Sequence, residues 1–150
     1  MVEEEILTPV NKPTHWVSNM VTEVKPSKLK ICIDTKDLNK DIKWSHYPMP
    51  TIEEVATKLS RAKVFSVLDV KSGLWQVSLD DEFSTLTTFN TPYGRFRWLR
   101  MPFGICSAPE EFQKRMNNTF ENLKGTAVLA DDLLVFGEGE DMETATKDHE

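Results

Sequence analysis

With 150 residues, 39% hydrophobic and 28% charged, the chain is long enough for one domain with a real core and is neither disordered nor fibrous in composition. No apolar run approaches the roughly 20 residues of a membrane span, the start Met1-Val2-Glu3-Glu4-Glu5 is acidic where a secretory leader is basic, and Cys32 and Cys106 suit neither a disulfide scaffold nor a metal-ligand pattern. The net charge of −6 runs against the basic surface of a nucleic-acid binder, but the acidic excess sits at the two ends, Glu3 to Glu5 and Glu138 to Glu150.

The first twenty residues read as a loop or edge region, because Pro9 and Pro13 break regular structure. Val21 to Val24 and Lys30 to Asp34 read as two strands turned at Pro26-Ser27. Basic residues gather here: Lys25, Lys28, Lys30, Lys36, Lys40 and Lys43 against Asp34, Asp37 and Asp41. Such a run is also what an ordinary solvated face looks like. Tyr47-Pro48-Met49-Pro50 is an extended connector, since the residue before a proline avoids the helical region. Thr51 then opens a helix: Thr51 and Glu54 have capping-box spacing, and Ile52, Val55 and Leu59 recur on one face.

Val64 to Val70, broken only by Ser66 and Asp69, reads as a buried strand, and Trp75, Val77 and Leu79 alternate with polar residues as in a half-buried strand. Leu86 to Asn90 predicts another strand, turned at Pro92-Tyr93-Gly94, and Arg95, Arg97 and Arg100 form a second basic cluster. A second capping-box spacing, Ser107 to Glu110, opens a helix with Phe112, Met116 and Phe120 on its buried face. Ala127 to Phe136 reads as a hairpin whose tight turn is Asp131-Asp132. Strands, helix, strands, helix and hairpin in this order predict an α+β domain, an antiparallel sheet with helices packed on one face.

Three carboxylates sit in apolar surroundings. Asp69 interrupts a run otherwise suited to burial, where an ionised group is costly unless paired or bound to metal. It could equally cap the turn before Gly73. Asp131 and Asp132 could be simple turn chemistry, but adjacent like charges between Val128-Leu129-Ala130 and Leu133-Leu134-Val135 repel each other, and short hairpin turns prefer Asn-Gly or Asp-Gly. A hard divalent cation such as Mg²⁺ would resolve the conflict, being held by one or two protein carboxylates plus substrate phosphates. Were the strand of Asp69 beside the hairpin, the three could hold two ions about 4 Å apart for in-line phosphoryl displacement.

A series of motifs then runs in one order along nearly the whole chain from Val10. It comprises Lys12-Pro13-Thr14 with Trp16-Val17; Asp34 with Leu38-Asn39-Lys40; His46-Tyr47-Pro48-Met49-Pro50; and Phe65-Ser66-Val67-Leu68-Asp69 with Gly73. It continues through Thr87-Thr88-Phe89, Pro92-Tyr93-Gly94, Leu99-Arg100-Met101-Pro102-Phe103-Gly104 with Ala108-Pro109, Phe112-Gln113, and Ala130-Asp131-Asp132. Each is weak alone. In this order the chain resembles the reverse transcriptase of gypsy-class long-terminal-repeat retrotransposons.

The resemblance implies a right-hand polymerase reduced to fingers and palm, with about residues 1–63 as fingers and connector and about 64–150 mainly palm. Thumb, connection and RNase H domains are absent from the segment and belong to the parent polyprotein. It implies an RNA-directed DNA polymerase in which Asp69, Asp131 and Asp132 are catalytic and bind two Mg²⁺ ions, Mn²⁺ being a possible substitute, with the Val70 backbone carbonyl as a further ligand. Lys30, Lys36, Val70, Leu74, Phe103 and Gly104 are the implied nucleotide contacts. The implied partners are an RNA or DNA template with its primer and deoxynucleoside triphosphates, with no membrane. Two departures stand out. Lys30 replaces a more usual Arg and loses its bidentate fork for phosphate, and Leu74 replaces the usual Tyr or Phe beneath the nucleotide sugar. Two other readings stay open: a non-catalytic retroelement remnant that folds or binds without polymerising, and a metal-dependent nuclease, for which no histidine is near the carboxylates in sequence.

Overall fold

The computed structural model describes residues 1–25, 28–43 and 46–149. The chain divides into two compact units, Met1–Ser45 with Leu74–Ala108 and His46–Gly73 with Pro109–Glu150. The mixture of helices with antiparallel strand pairs is the expected α+β class.

In the first unit, strands β1 (Leu7–Pro9), β6 (Gly94–Trp98) and β5 (Phe89–Thr91) form an antiparallel sheet in the order β1-β6-β5. Strands β2 (Met20–Lys25) and β3 (Lys28–Ile33) pair separately, Met20 opposite Ile33 and Lys25 opposite Lys28. The expected turn at Pro26-Ser27 lies outside the described residues. The proline-broken N-terminus still contributes an edge strand, because three residues need no long run of N–H donors and Ile6 and Leu7 bury their side chains.

The core of this unit is aromatic. Trp98 is fully buried, 6.1 Å from the ring of Phe89 and 6.4 Å from that of Trp75, and Ile6, Leu7 and Ile33 complete the cluster. Its backbone is held as tightly. The Trp98 N–H donates to Thr87 Oγ1 at 3.0 Å, and Ser84 Oγ donates to the Trp98 carbonyl at 2.5 Å. Ser84 belongs to helix α3 (Asp81–Leu86), which takes the start of the expected Leu86–Asn90 strand. Asp80 caps it, accepting the Phe83 N–H at 2.7 Å, and Asp81 and Glu82 complement the helix dipole. The half-buried strand expected over Trp75–Leu79 is instead a 3₁₀ turn, Gly73–Gln76, followed by a single bridge between Ser78 and Arg100. The burial alternation holds even so, with Trp75, Val77 and Leu79 inward and Gln76, Ser78 and Asp80 outward. A further short helix, α1 (Leu38–Asp41), buries Leu38.

The second unit carries a sheet in the order β4-β8-β7, from β4 (Ala62–Asp69), β8 (Asp132–Glu138) and β7 (Thr126–Leu129). Helix α2 (Ile52–Lys58) has the expected reciprocal capping box: the Glu54 N–H donates to Thr51 Oγ1 at 3.2 Å and the Thr51 N–H to Glu54 Oε2 at 2.9 Å. Val55 packs with Ala127 and Phe136, but Ile52, expected on the same face, is 72% exposed. Helix α4 (Ala108–Phe120) buries Phe112 and Gln113, with Met116 and Phe120 partly buried. The expected capping partner Glu110 is used otherwise, its Oε2 accepting the Tyr47 N–H at 2.9 Å and so tying down the connector. Helix α5 (Met142–His149) had no sequence expectation. Asp141 starts it, accepting the Thr144 N–H at 2.8 Å, and this backbone donor holds the Asp141 carboxyl below the usual carboxylate range.

The β4 run is not buried as its apolar sequence suggested, since Phe65, Val67 and Leu68 are each more than half exposed. α5 lies against β8 and β4, and at Gly137 an added Cβ would collide with the backbone carbonyl of Ala145 and the Cβ of His149. The obstacle is largely backbone, so no rotamer change relieves it. Gly137→Ala is therefore expected to cost at least about 2 kcal/mol, against about 1 kcal/mol for Thr51→Ala at the α2 cap. Urea denaturation midpoints measure both, and equal midpoints for Gly137→Ala and the parent chain would contradict the packing described.

Candidate active site

The carboxylates are placed by strand register. Across β4 and β8, Phe65 lies opposite Phe136, Val67 opposite Leu134, Leu68 opposite Leu133 and Asp69 opposite Asp132. Directly opposed residues of an antiparallel pair share a face, their Cβ atoms about 4.5–5.5 Å apart. Asp69 and Asp132 therefore stand side by side. On the other edge of β8, Asp132 lies opposite Leu129. The hairpin turn is thus Ala130-Asp131, and not Asp131-Asp132 as expected, because Asp132 already opens β8. Ala130 has φ 51°, a left-handed conformation uncommon for a residue with a Cβ. Asp131 stays tied to β4 through its backbone carbonyl, which accepts the Val70 N–H at 2.8 Å.

All three carboxylates are exposed, and the apolar flanks do not desolvate them. The conflict that remains is like charge beside like charge, which destabilises a cross-strand pair. Among the described residues no group of three His, Cys, Asp or Glu side chains is gathered to hold an ion. The donors still fit Mg²⁺ or Mn²⁺. They are hard carboxylate oxygens, two of them on opposed positions, and Mg²⁺ takes one or two protein carboxylates and completes its shell with water and phosphate rather than using an all-protein cage. The Val70 carbonyl, the further expected ligand, accepts the Gly73 N–H at 3.1 Å and retains a second lone pair.

The remaining expected contacts other than Val70 lie in the first unit. Gly104 has φ 100°, open to glycine and strained for other residues, and an added Cβ would sit 3.0 Å from Thr35 Oγ1. Its carbonyl accepts from Thr35 Oγ1 at 2.7 Å and from Asn39 Nδ2 at 2.9 Å, while Asn39 Oδ1 accepts the Cys106 N–H at 3.0 Å. The Pro102-Phe103-Gly104 segment is therefore pinned to α1 and to the residues just after β3 by Asn39, noted in the sequence only as a motif letter, and by Thr35, which sequence reading did not single out. Phe103 packs edge-on to Trp75 with ring centroids 6.0 Å apart. Leu74 is partly buried in the 3₁₀ turn, where successive side chains diverge by about 120°. Trp75 is committed to Trp98 and Phe103, which leaves Leu74 as the residue facing elsewhere. Lys36 is exposed, and Lys30 lies in β3 opposite Glu23. Within the second basic cluster, Arg97 pairs with Asp81 at 3.0 Å and Arg100 donates to Ser78 Oγ at 2.7 Å, so both have structural work in the unit.

Comparison with known proteins gives this arrangement a context. The family described as "Reverse transcriptase (RNA-dependent DNA polymerase)" matches residues 10–149. The retrovirus-related Pol polyprotein from transposon 297 of Drosophila melanogaster is 34% identical over 131 residues, covering 86% of this chain and 12% of that protein. The enzymatic polyprotein of Cauliflower mosaic virus (strain Strasbourg) is 33% identical over 145 residues, covering 94% of this chain and 21% of the polyprotein. Among solved structures, the foamy viral protease-reverse transcriptase in complex with an RNA/DNA hybrid aligns with TM-score 0.79 at 20% identity, covering 97% of this chain and 19% of that one. This last likeness shows the fold. The chain thus spans a fifth or less of the transposon and foamy viral proteins and about a fifth of the plant viral one. The chain belongs to the reverse transcriptase family, as the segment that retrotransposon Pol polyproteins share.

Proposed function

We propose that this segment forms the fingers and catalytic palm of an RNA-directed DNA polymerase that joins deoxynucleoside triphosphates to a primer 3′-hydroxyl, with Asp69, Asp131 and Asp132 as the catalytic carboxylates. The observation that carries the reading is Asp69 set opposite Asp132, with Asp131 next in the turn. Like charges set directly opposite destabilise a strand pair, and a divalent cation removes the repulsion. When bound, two Mg²⁺ ions, or Mn²⁺ in their place, supply Lewis-acid activation of the attacking hydroxyl and neutralise charge developing on the phosphates.

The residues have separable tasks. Asp69, on β4, and Asp131 and Asp132, on the hairpin, hold oxygen donors on two adjoining strands, so the ladder itself sets their spacing. The Val70 carbonyl adds a neutral oxygen beside them. In the fingers, exposed Lys36 supplies positive charge for triphosphate and template, and the family resemblance assigns the same task to Lys30, whose side chain lies outside those described. Phe103 and Gly104 form the wall beside the templating base and incoming nucleotide, fixed in place by Thr35 and Asn39. Leu74 lies beneath the sugar. Thumb and RNase H functions come from elsewhere in the parent polyprotein.

In a polymerase of full polyprotein length, Asp131→Asn is expected to lower primer extension by roughly a thousandfold or more while leaving the melting transition in place, because transition-state stabilisation of several kcal/mol is lost. Extension at the parent rate would exclude Asp131 from the site.

Sugar selection gives a second expectation. Leu is shorter than Phe or Tyr and not planar, so the clash with a ribose 2′-hydroxyl is weak. Leu74→Phe is expected to raise the deoxy- over ribonucleotide ratio of kcat/KM by about tenfold to two-hundredfold, the worth of about 1–3 kcal/mol of differential transition-state binding. An unchanged ratio in Leu74→Phe, together with a collapsed one in Trp75→Ala, would move the gate to Trp75.

A further inference from the structure

Gln113 is wholly buried, at 0% exposure, yet carries both a donor and an acceptor. Buried polar groups of this kind are retained when each is satisfied. Its Oε1 accepts the Ala130 N–H at 2.8 Å, and its Nε2 donates to the Val128 carbonyl at 3.1 Å and to Asn117 Oδ1 at 3.0 Å. These partners define the orientation of the carboxamide, since a flipped amide would face N–H with N–H at Ala130 and oxygen with oxygen at Val128.

Val128, on β7, an edge strand of the β4-β8-β7 sheet, and Ala130, the turn residue just past its end, are two positions apart and present one acceptor and one donor. A neighbouring strand would engage such a pair. Gln113 supplies the equivalent of one peptide group in its place. The anchor continues outward: Asn117 lies one turn later on the same face of α4, and its Nδ2 donates to the Tyr47 hydroxyl at 2.9 Å. Gln113 cannot turn away from the hairpin without breaking this chain. The residue it holds by the N–H is Ala130, the one with φ 51°, immediately before Asp131.

We propose that Gln113 is a positioning residue, which holds Ala130 in its left-handed conformation and thereby sets Asp131 and Asp132 against Asp69. The inference rests on the reading of these carboxylates as metal ligands. It assigns to a glutamine outside the carboxylate group the control of how readily that group takes a divalent ion. If Gln113 only seals a sheet edge, its loss lowers stability and nothing more.

The test uses the full chain, labelled for NMR, with Mn²⁺ as the probe. In the parent chain the Ala130 amide is expected to exchange slowly, as a satisfied donor does, and Mn²⁺ to broaden the signals of Asp69, Asp131 and Asp132 first. In Gln113→Met, which keeps the volume and removes the hydrogen bonds, Ala130 exchange is expected to rise and the Mn²⁺ concentration for half-broadening to increase, each by about tenfold, the worth of one such hydrogen bond. Val55→Ala, a core truncation in the same unit away from the turn, lowers stability and is expected to leave that concentration unchanged. A Gln113→Met midpoint equal to the parent's, with faster Ala130 exchange, overturns the positioning role and leaves the metal reading intact. Absence of broadening at the carboxylates in the parent chain overturns the metal reading, and this inference with it. Should Gln113→Met fail to fold, Asn117→Leu keeps the glutamine and removes its anchor, and an unchanged midpoint there overturns the role. Free exchange of the Ala130 amide in the parent chain overturns it without any variant.

Discussion

Like charges on adjoining strands repel, and the second unit is organised around keeping Asp69 opposite Asp132 against that repulsion. Side chains alternate along a strand, so a slip of one residue between β4 and β8 would turn Asp69 to the other face of the sheet. Several features oppose the slip together. Phe65 lies opposite Phe136 and Val67 opposite Leu134, the bulge between Ala62 and Val64 breaks the repeat at the far end, and the Val70 N–H closes on the Asp131 carbonyl at the near end. The register is thus fixed at both ends, and the carboxylates inherit its precision without needing side-chain partners of their own.

The first unit solves a different problem. A loop with a left-handed glycine is free to move unless its carbonyls and amides are taken up. Thr35 and Asn39 take up the Gly104 carbonyl and the Cys106 N–H, and the Trp75, Trp98 and Phe89 stack lies behind them as the rigid body of the unit. Full burial of Trp98 alone is worth several kcal/mol, since Trp→Ala in a core typically costs about 3–5 kcal/mol. Rigidity there comes from aromatic packing, whereas in the second unit it comes from the strand ladder.

Much of this was legible in the sequence where short-range chemistry decides the outcome. The Thr51-Glu54 cap and the chain reversal at Pro92-Tyr93-Gly94 were both readable from local residue chemistry. Tertiary packing decided the places where reading failed. Periodicity assigned Phe65, Val67 and Leu68 to a buried strand, but an apolar run does not say how many of its faces are covered. Alternation at Trp75–Leu79 was right about burial and wrong about backbone, because a 3₁₀ turn followed by extended residues gives the same inward set. Helix α3 had a signal that was passed over, Asp80 followed by Asp81 and Glu82, the acidic start typical of a capped helix. Gln113 had none. Its role depends on Val128 and Ala130 arriving beside it, and no local pattern encodes that meeting.

The exposed residues of β4 also bear on how the chain behaves in solution. Phe65-Ser66-Val67-Leu68 lies on an edge strand of the sheet, with Lys63 before it and Asp69 after it. Apolar edge strands template intermolecular pairing, and flanking charges act as gatekeepers against it. Asp69 therefore serves colloidal stability as well as the site. Neutralising it removes one of two gatekeepers, so soluble yield falls for reasons unrelated to chemistry, whereas Asp131, off the strand in its turn, carries no such second duty.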